Sequence, residues 1–283
     1  SLESLALEDV ELDRDLADAL AKQTQLTALR LWSVHASSHL ATALRQLTRL
    51  ETLVLSMDKE ENDLKCVLAA VGELPLLQTL ALHGQAFGSK MKTLVEAVVD
   101  RGRLRELDLF NCPIGDDGAG HLAAMLERNR SLLVLNMQYC EIGDAGLERL
   151  GRALTRNTTL RQLDLTFNPF TVEGVARFAD MMGDMHGLQV LQLDREWDQQ
   201  LLPGIERNYS LLQLPHFPAA ARPYLARNAR GYAKARVATL AWLCTCRFRR
   251  PFGLLPEIGL IIARHIYASR GWSCWADDSK MTK

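Results

Sequence analysis

The chain has 283 residues, of which 48% are hydrophobic and 24% charged, and a formal net charge of -1. This composition argues against a disordered chain and removes any whole-chain attraction to nucleic acid or an anionic membrane. The cysteines Cys66, Cys112, Cys140, Cys244, Cys246 and Cys274 sit mostly inside apolar patterns and fit a reducing, intracellular setting, the cytoplasm, better than a secreted disulfide framework. No basic-then-apolar leader opens the sequence, and no stretch reaches the roughly 18 apolar residues that span a bilayer.

Aligned on itself, the chain carries the pattern L-x-x-L-x-L eight times, with first leucines at Leu2, Leu26, Leu50, Leu77, Leu104, Leu132, Leu160 and Leu188, separated by 24, 24, 27, 27, 28, 28 and 28 residues. The L-x-L part alternates with period two, so it predicts a short strand with its leucines on one side. An amphipathic helix is predicted after each strand. In repeats two and three these helices cover residues 37–47 and 62–71 and lack the Gly-Asp start of later repeats. In repeat five, Ile114 and Gly115 lead to Asp116 as the expected N-cap, Leu122, Met125 and Leu126 recur at helical spacing, and Asn129 ends the element. Repeat six copies this with Ile142, Gly143, Asp144, Leu147, Leu150, Leu154 and Asn157. Gly118, Gly146 and Gly174 share one register, where the missing Cβ is expected to let each helix approach the strand layer. One such unit cannot bury its apolar face alone. Stacking neighbours predicts an α/β solenoid, with a parallel sheet on the concave side and helices outside.

The runs 104–129 and 132–157 resemble the ribonuclease-inhibitor class of leucine-rich repeats, found also in Ran GTPase-activating proteins and nucleotide-binding immune receptors. The resemblance covers residues 1–214 and implies a horseshoe fold. It does not specify function. It implies that Cys112, Cys140 and Asn168, each eight residues after its first leucine, satisfy buried backbone groups at a turn rather than react. The acidic C-terminal region of the Ran activators is not matched, because the corresponding stretch here is basic. The chain begins directly on a repeat, so a further element upstream is expected to cover that end.

Residues flanking the strand leucines are expected to face out on the concave sheet. One row reads Ala6, Arg30, Val54, Ala81, Asp108, Asn136, Asp164 and Gln192, and the next reads Glu8, Trp32, Ser56, His83, Phe110, Gln138, Thr166 and Asp194. Trp32, His83 and Phe110 are candidate aromatic anchors, while Glu106, Asp108, Asp164 and Asp194 make the later repeats acidic. A partner offering basic groups to that half and an apolar patch to the first half is expected.

No catalytic, metal or cofactor site emerges. His35 and His39 lie at zinc-ligand spacing without a third ligand, residues 84–90 lack the ending of a phosphate loop, and Cys244 with Cys246 falls short of a four-ligand pattern. After Leu193 the repeat decays through a last helix at 201–208 and a degenerate strand with Leu211, Leu212 and Leu214. Pro215, Pro218 and Pro223 mark a boundary, dividing the chain into a solenoid at 1–214 and a basic helical segment at 215–283. That segment carries Arg222, Arg227, Arg230, Lys234, Arg236, Arg247, Arg249 and Arg250, and no Asp or Glu occurs from Arg207 to Pro256. It reads either as a cap on the last repeat or as a contact for nucleic acid or another acidic surface. Residues 254–267, with Leu255, Pro256, Ile258 and Ile262, resemble the opening helix of F-box motifs, which implies a ubiquitin-ligase adaptor as partner. The leading expectation is a non-enzymatic scaffold that binds a protein on its concave face. The alternatives are a substrate receptor of a cullin-type ligase and an architectural subunit of a larger assembly.

Overall fold

The computed structural model describes residues 2–10, 12–34, 37–57, 64–85, 87, 90–96, 102–212 and 221–231. The chain divides between Tyr224 and Leu225 into two units, and the first carries every repeat. Its eight strands are β1 (Ser4–Glu8), β2 (Ala28–Val34), β3 (Thr52–Met57), β4 (Thr79–His83), β5 (Glu106–Asp108), β6 (Val134–Asn136), β7 (Gln162–Asp164) and β8 (Val190–Gln192). They form one parallel sheet in chain order. The middle leucines pair in one continuous register: Leu5, Leu29, Leu53, Leu80, Leu107, Leu135, Leu163 and Leu191. From Leu29 onward all of these are buried.

Helices alternate with the strands: α1 (Arg14–Ala21), α2 (Ser38–Gln46), α3 (Leu64–Glu73), α4 (Met91–Leu94), α5 (Gly115–Leu126), α6 (Asp144–Arg156), α7 (Val172–Met181) and α8 (Asp198–Arg207). Most of their leucines, among them Leu44, Leu68, Leu122 and Leu150, are buried together with Ile205 on α8 and close the core from the other side. The repeat also continues past β8. Leu212 N–H donates to the Gln189 carbonyl at 2.7 Å, the same step that Gln189 makes to Arg161 and Arg161 makes to Leu133. Leu211 is therefore the first leucine of a ninth repeat.

In repeats five to seven, strand length follows from one side chain. In the first four repeats the position four after the first leucine is Ala6, Arg30, Val54 or Ala81, and those strands run five to seven residues. In repeats five to seven it is Asp108, Asn136 or Asp164, whose side-chain oxygen accepts the N–H two residues on: Phe110, Gln138 and Thr166, each at 3.0 Å. The side chain thereby takes a donor from the ladder, and these strands shorten to three residues. Phe110, Gln138 and Thr166 consequently stand on the turn after the sheet, and Asp194 likewise lies past the end of β8, not on the sheet itself as alternation alone would place them. Carbonyls at this end of the strands also take side-chain donors from the next repeat: Cys112 Sγ donates to Leu82 O at 2.9 Å, Cys140 Sγ to Leu109 O at 3.1 Å and Asn168 Nδ2 to Met137 O at 2.8 Å.

The Gly-Asp helix starts work differently from the sequence expectation. Asp116 is not the N-cap of its own helix, since α5 starts at Gly115 behind Ile114. Its Oδ1 instead accepts the N–H groups of Gly143 and Gly146, both at 2.8 Å, at the start of α6 in the next repeat. Asp144 repeats the device one unit on, accepting Thr171 N–H at 2.9 Å and the Thr171 hydroxyl at 2.5 Å, with Arg177 at 3.6 Å. Each carboxylate thus meets the positive end of the neighbouring helix. The role given to the shared glycines changes with it. A Cβ on Gly174 would lie 2.0 Å from Asp144 Oδ1, and one on Gly146 would lie 2.7 Å from Asp116 Oδ1. These two glycines make room for the neighbour's carboxylate, not for approach to the strand layer.

Burial pushes the Asp144 carboxyl upward, but the two hydrogen bonds from Thr171 and the Arg177 charge outweigh it and hold the group below its ordinary 3.8. Stability from this carboxylate is present above that ordinary value and is lost as pH falls through the lower folded value. Replacing Asp144 with Ala is expected to destabilise the fold by about 1–2 kcal/mol near neutral pH and to flatten the acid limb of its stability profile, as thermal melts between pH 3 and 7 would show. Gly174→Ala should be as damaging in the wild type yet nearly neutral in the Asp144→Ala background. Additive losses in that double-mutant cycle would contradict the contact.

Candidate functional site

The first concave row is in register across the whole sheet: Ala6, Arg30, Val54, Ala81, Asp108, Asn136, Asp164 and Gln192. Its polar members are less free than a row of outward-facing side chains would be. Asp108, Asn136 and Asp164 hold the turns described above, and Asp164 is buried, accepting Thr166 Oγ1 at 2.8 Å as well as the Gln138 amide. Asp108 Oδ2 also meets His83 Nε2 at 3.2 Å. Asp194 Oδ2 accepts Phe167 N–H at 2.9 Å, and Glu106 Oε2 receives the Thr79 hydroxyl at 3.4 Å. Glu106 is nevertheless exposed, and no lysine or arginine occupies either row or the strand-start row Glu106, Val134, Gln162 and Val190 in repeats five to eight.

The aromatic candidates separate. Trp32 is half-buried at a bulge where the β2–β3 register shifts after Leu31, with Ser33 at a φ of 54°. Strand β3 lies between it and His83. His83 and Phe110 do meet, edge to face, with ring centroids 5.9 Å apart. The row then goes on to residues that neither concave row contained. Phe110 meets Tyr139 edge to face at 5.7 Å, and Tyr139 stacks on Phe167 at 4.4 Å with the rings 8° from parallel. Phe110, Tyr139 and Phe167 are 37%, 44% and 54% exposed, so one apolar strip runs across three successive repeats at the turn that leaves the sheet.

A sequence signal for the added pair exists. Both occupy the position seven after the first leucine, which Asp9, Ser33, Gly84 and Asn111 fill in other repeats, and all six have left-handed backbone. Arg195 stands at the same position in repeat eight. Asp, Asn and Gly suit that backbone, whereas bulky aromatic side chains there are outliers.

The thiols of the turn are shielded from solvent. Cys112 and Cys140 are buried, and burial raises both, Cys140 to about 12 and Cys112 further. Among the described residues no cluster of His, Cys, Asp and Glu could hold a metal ion, and no helix is long and apolar enough to cross a membrane. Of the basic segment, Arg222, Arg227 and Arg230 lie on helical residues 222–231. Lys234, Arg236, Arg247, Arg249, Arg250, the pair Cys244 and Cys246, Cys274, His35 and the F-box-like residues Leu255, Pro256, Ile258 and Ile262 lie outside the described residues.

Residues 104–123, 128–151 and 156–179 match the family described as Leucine Rich repeat. No curated protein matches the chain. Among solved structures, the actin-binding site 2 of leiomodin-1 is similar at 18% identity and a TM-score of 0.42, over 45% of this chain and 82% of that one. The tropomodulin C-terminal domain of Caenorhabditis elegans is similar at 19% identity and a TM-score of 0.40, over 58% of this chain and 90% of that one.

With burial holding the Cys112 and Cys140 groups as neutral thiols, iodoacetamide applied to the native protein at pH 8 should modify the exposed Cys66 and spare both of them, as peptide mass mapping would show. Labelling of Cys140 at the rate of Cys66 would contradict the buried ladder.

Proposed function

The chain is a leucine-rich-repeat protein, and we propose that it is a non-enzymatic scaffold that holds a protein partner against the concave side of repeats five to eight. One observation supports this reading: three of the largest exposed apolar side chains, Phe110, Tyr139 and Phe167, fall together in a single strip at the turn that leaves the sheet in repeats five to seven. Scattered exposed apolar residues are ordinary on a protein surface, but a contiguous strip is characteristic of a contact surface. The polar groups around it are pre-organised. Asp108, Asn136 and Asp164 are held by backbone bonds, so few side chains lose freedom when a partner binds.

Sign of charge favours the kind of partner. Glu106, Asp108, Asp164 and Asp194 bring negative charge to the concave positions of these repeats, with no cation among those positions. A partner surface with basic and apolar groups complements it. The half-buried Trp32 and Arg30, further along the sheet, extend the contact surface toward the first repeats.

The test is a comparison of the immobilised wild-type chain with the double variant Phe110→Ala, Glu106→Lys in affinity capture from a cell extract, followed by partner identification. A specific partner should be retained at least about tenfold less by the variant, the effect of losing one central aromatic anchor. Equal retention of every captured protein would reject the concave-face reading.

A further inference from the structure

The two most exposed rings of the strip are also the two held in the least suitable backbone. Tyr139 has a φ of 54° and Phe167 a φ of 59°, at a position where this chain elsewhere uses Asp9, Ser33, Gly84 and Asn111. Left-handed backbone is disfavoured for a bulky side chain because Cβ crowds the following carbonyl. Strain kept at a surface position requires a compensating role, and the core supplies none for these rings, which are 44% and 54% exposed. Among the described residues their ring partners are each other and Phe110, and stacking at 4.4 Å turns the pair into a flat apolar slab.

The surroundings of the slab select what can lie on it. Asp194 bonds the Phe167 N–H, the exposed Glu141 follows Tyr139 by two residues, and Asp164 engages Gln138 beside it. An aromatic face with carboxylates close by attracts a cation, and of the two protein cations only the guanidinium is planar and able to lie flat on a ring. An ammonium is compact and more strongly hydrated, so it gains less from the same surface. The slab is not a cage for a methylated ammonium, because Phe110 and Tyr139 already touch edge to face at 5.7 Å and leave no space between them.

We propose that the Tyr139–Phe167 pair is a docking surface for an arginine-bearing basic segment of a protein partner, with guanidinium groups stacked on the exposed rings and Asp194 and Glu141 as counter-charge. The inference rests on the concave-face reading, whose own test uses Phe110 and Glu106, so the two can fail separately. A partner rich in lysine alone would satisfy the charge but not the slab.

The probes are fluorescein-labelled octa-arginine and octa-lysine, titrated against the full chain by fluorescence anisotropy at about 0.15 M salt. Octa-arginine is expected to bind about fivefold more tightly than octa-lysine. In the double variant Tyr139→Asn, Phe167→Asn this preference should vanish while both peptides keep the weaker, charge-driven affinity. Asn is the residue that repeat five already carries at this position, Asn111, so the variant should fold with a Tm within a few degrees of the wild type. Equal binding of the two peptides by the wild type, or an unchanged preference in a folded double variant, would overturn the proposal. Either result would leave the capture experiment with Phe110 and Glu106 to decide the broader reading.

Discussion

Turns in repeats four to six draw on the following repeat to complete their backbone hydrogen bonding. The carbonyls of Leu82, Leu109 and Met137 take donors from Cys112, Cys140 and Asn168 of the following unit, and Asn168 Oδ1 in turn accepts the N–H groups of Cys140 and Ile142 at 3.2 and 3.0 Å. A second set does the same at the helix ends. Asn157 donates to Leu126 O at 2.6 Å while its Oδ1 accepts Thr159 and Leu160 N–H, and Asn208 donates to Met182 O at 2.6 Å while accepting Ser210 and Leu211 N–H. Buried backbone groups left unpaired are expensive, so these side chains make each unit conditional on the next. The carboxylates Asp116 and Asp144 add a third link at the helix starts. Nearest-neighbour coupling of this kind is what lets a one-dimensional stack behave as a cooperative body.

That coupling also shapes the surface available for recognition. Every Asp or Asn that ends a strand early is committed to the backbone, so the concave row of repeats five to seven presents groups already fixed in place. What it leaves standing free is the turn just beyond, where the chain must enter left-handed backbone to reach the next helix. Phe110, Tyr139 and Phe167 project from that turn, and their contacts with one another run across repeat boundaries at the spacing the sheet sets. The strip is therefore a product of the same turn that shortens the strands. Its negative surroundings arise from the strand-ending aspartates Asp108 and Asp164 and from Asp194, which bonds the Phe167 N–H of the preceding repeat's turn.

The aromatic strip was only partly legible. His83 and Phe110 stood out because they follow a strand leucine by one residue, which alternation assigns to the concave side. Tyr139 and Phe167 follow Met137 and Leu165 by two, where alternation alone places a residue facing inward. The turn, not the strand, decides their direction, and the turn is created by Asn136 and Asp164 taking backbone donors with their side chains. Trp32 shows the reverse case: alternation placed it on the exposed side, but a bulge at Ser33 leaves it half-buried.

The sequence by itself determined the solenoid: the leucine spacing defines the strands, their parallel order and the register in which Leu29 pairs with Leu53 and Leu135 with Leu163. It could do so because each of those choices depends on contacts within a repeat or on an identical contact copied to the next. Only the tertiary structure decided which helix Asp116 and Asp144 cap, why Gly146 and Gly174 lack a side chain, and that Tyr139 and Phe167 stack. Each of these joins residues 27 to 30 positions apart through side chains whose direction is set by a neighbouring repeat's backbone, and linear pattern carries no information on that direction.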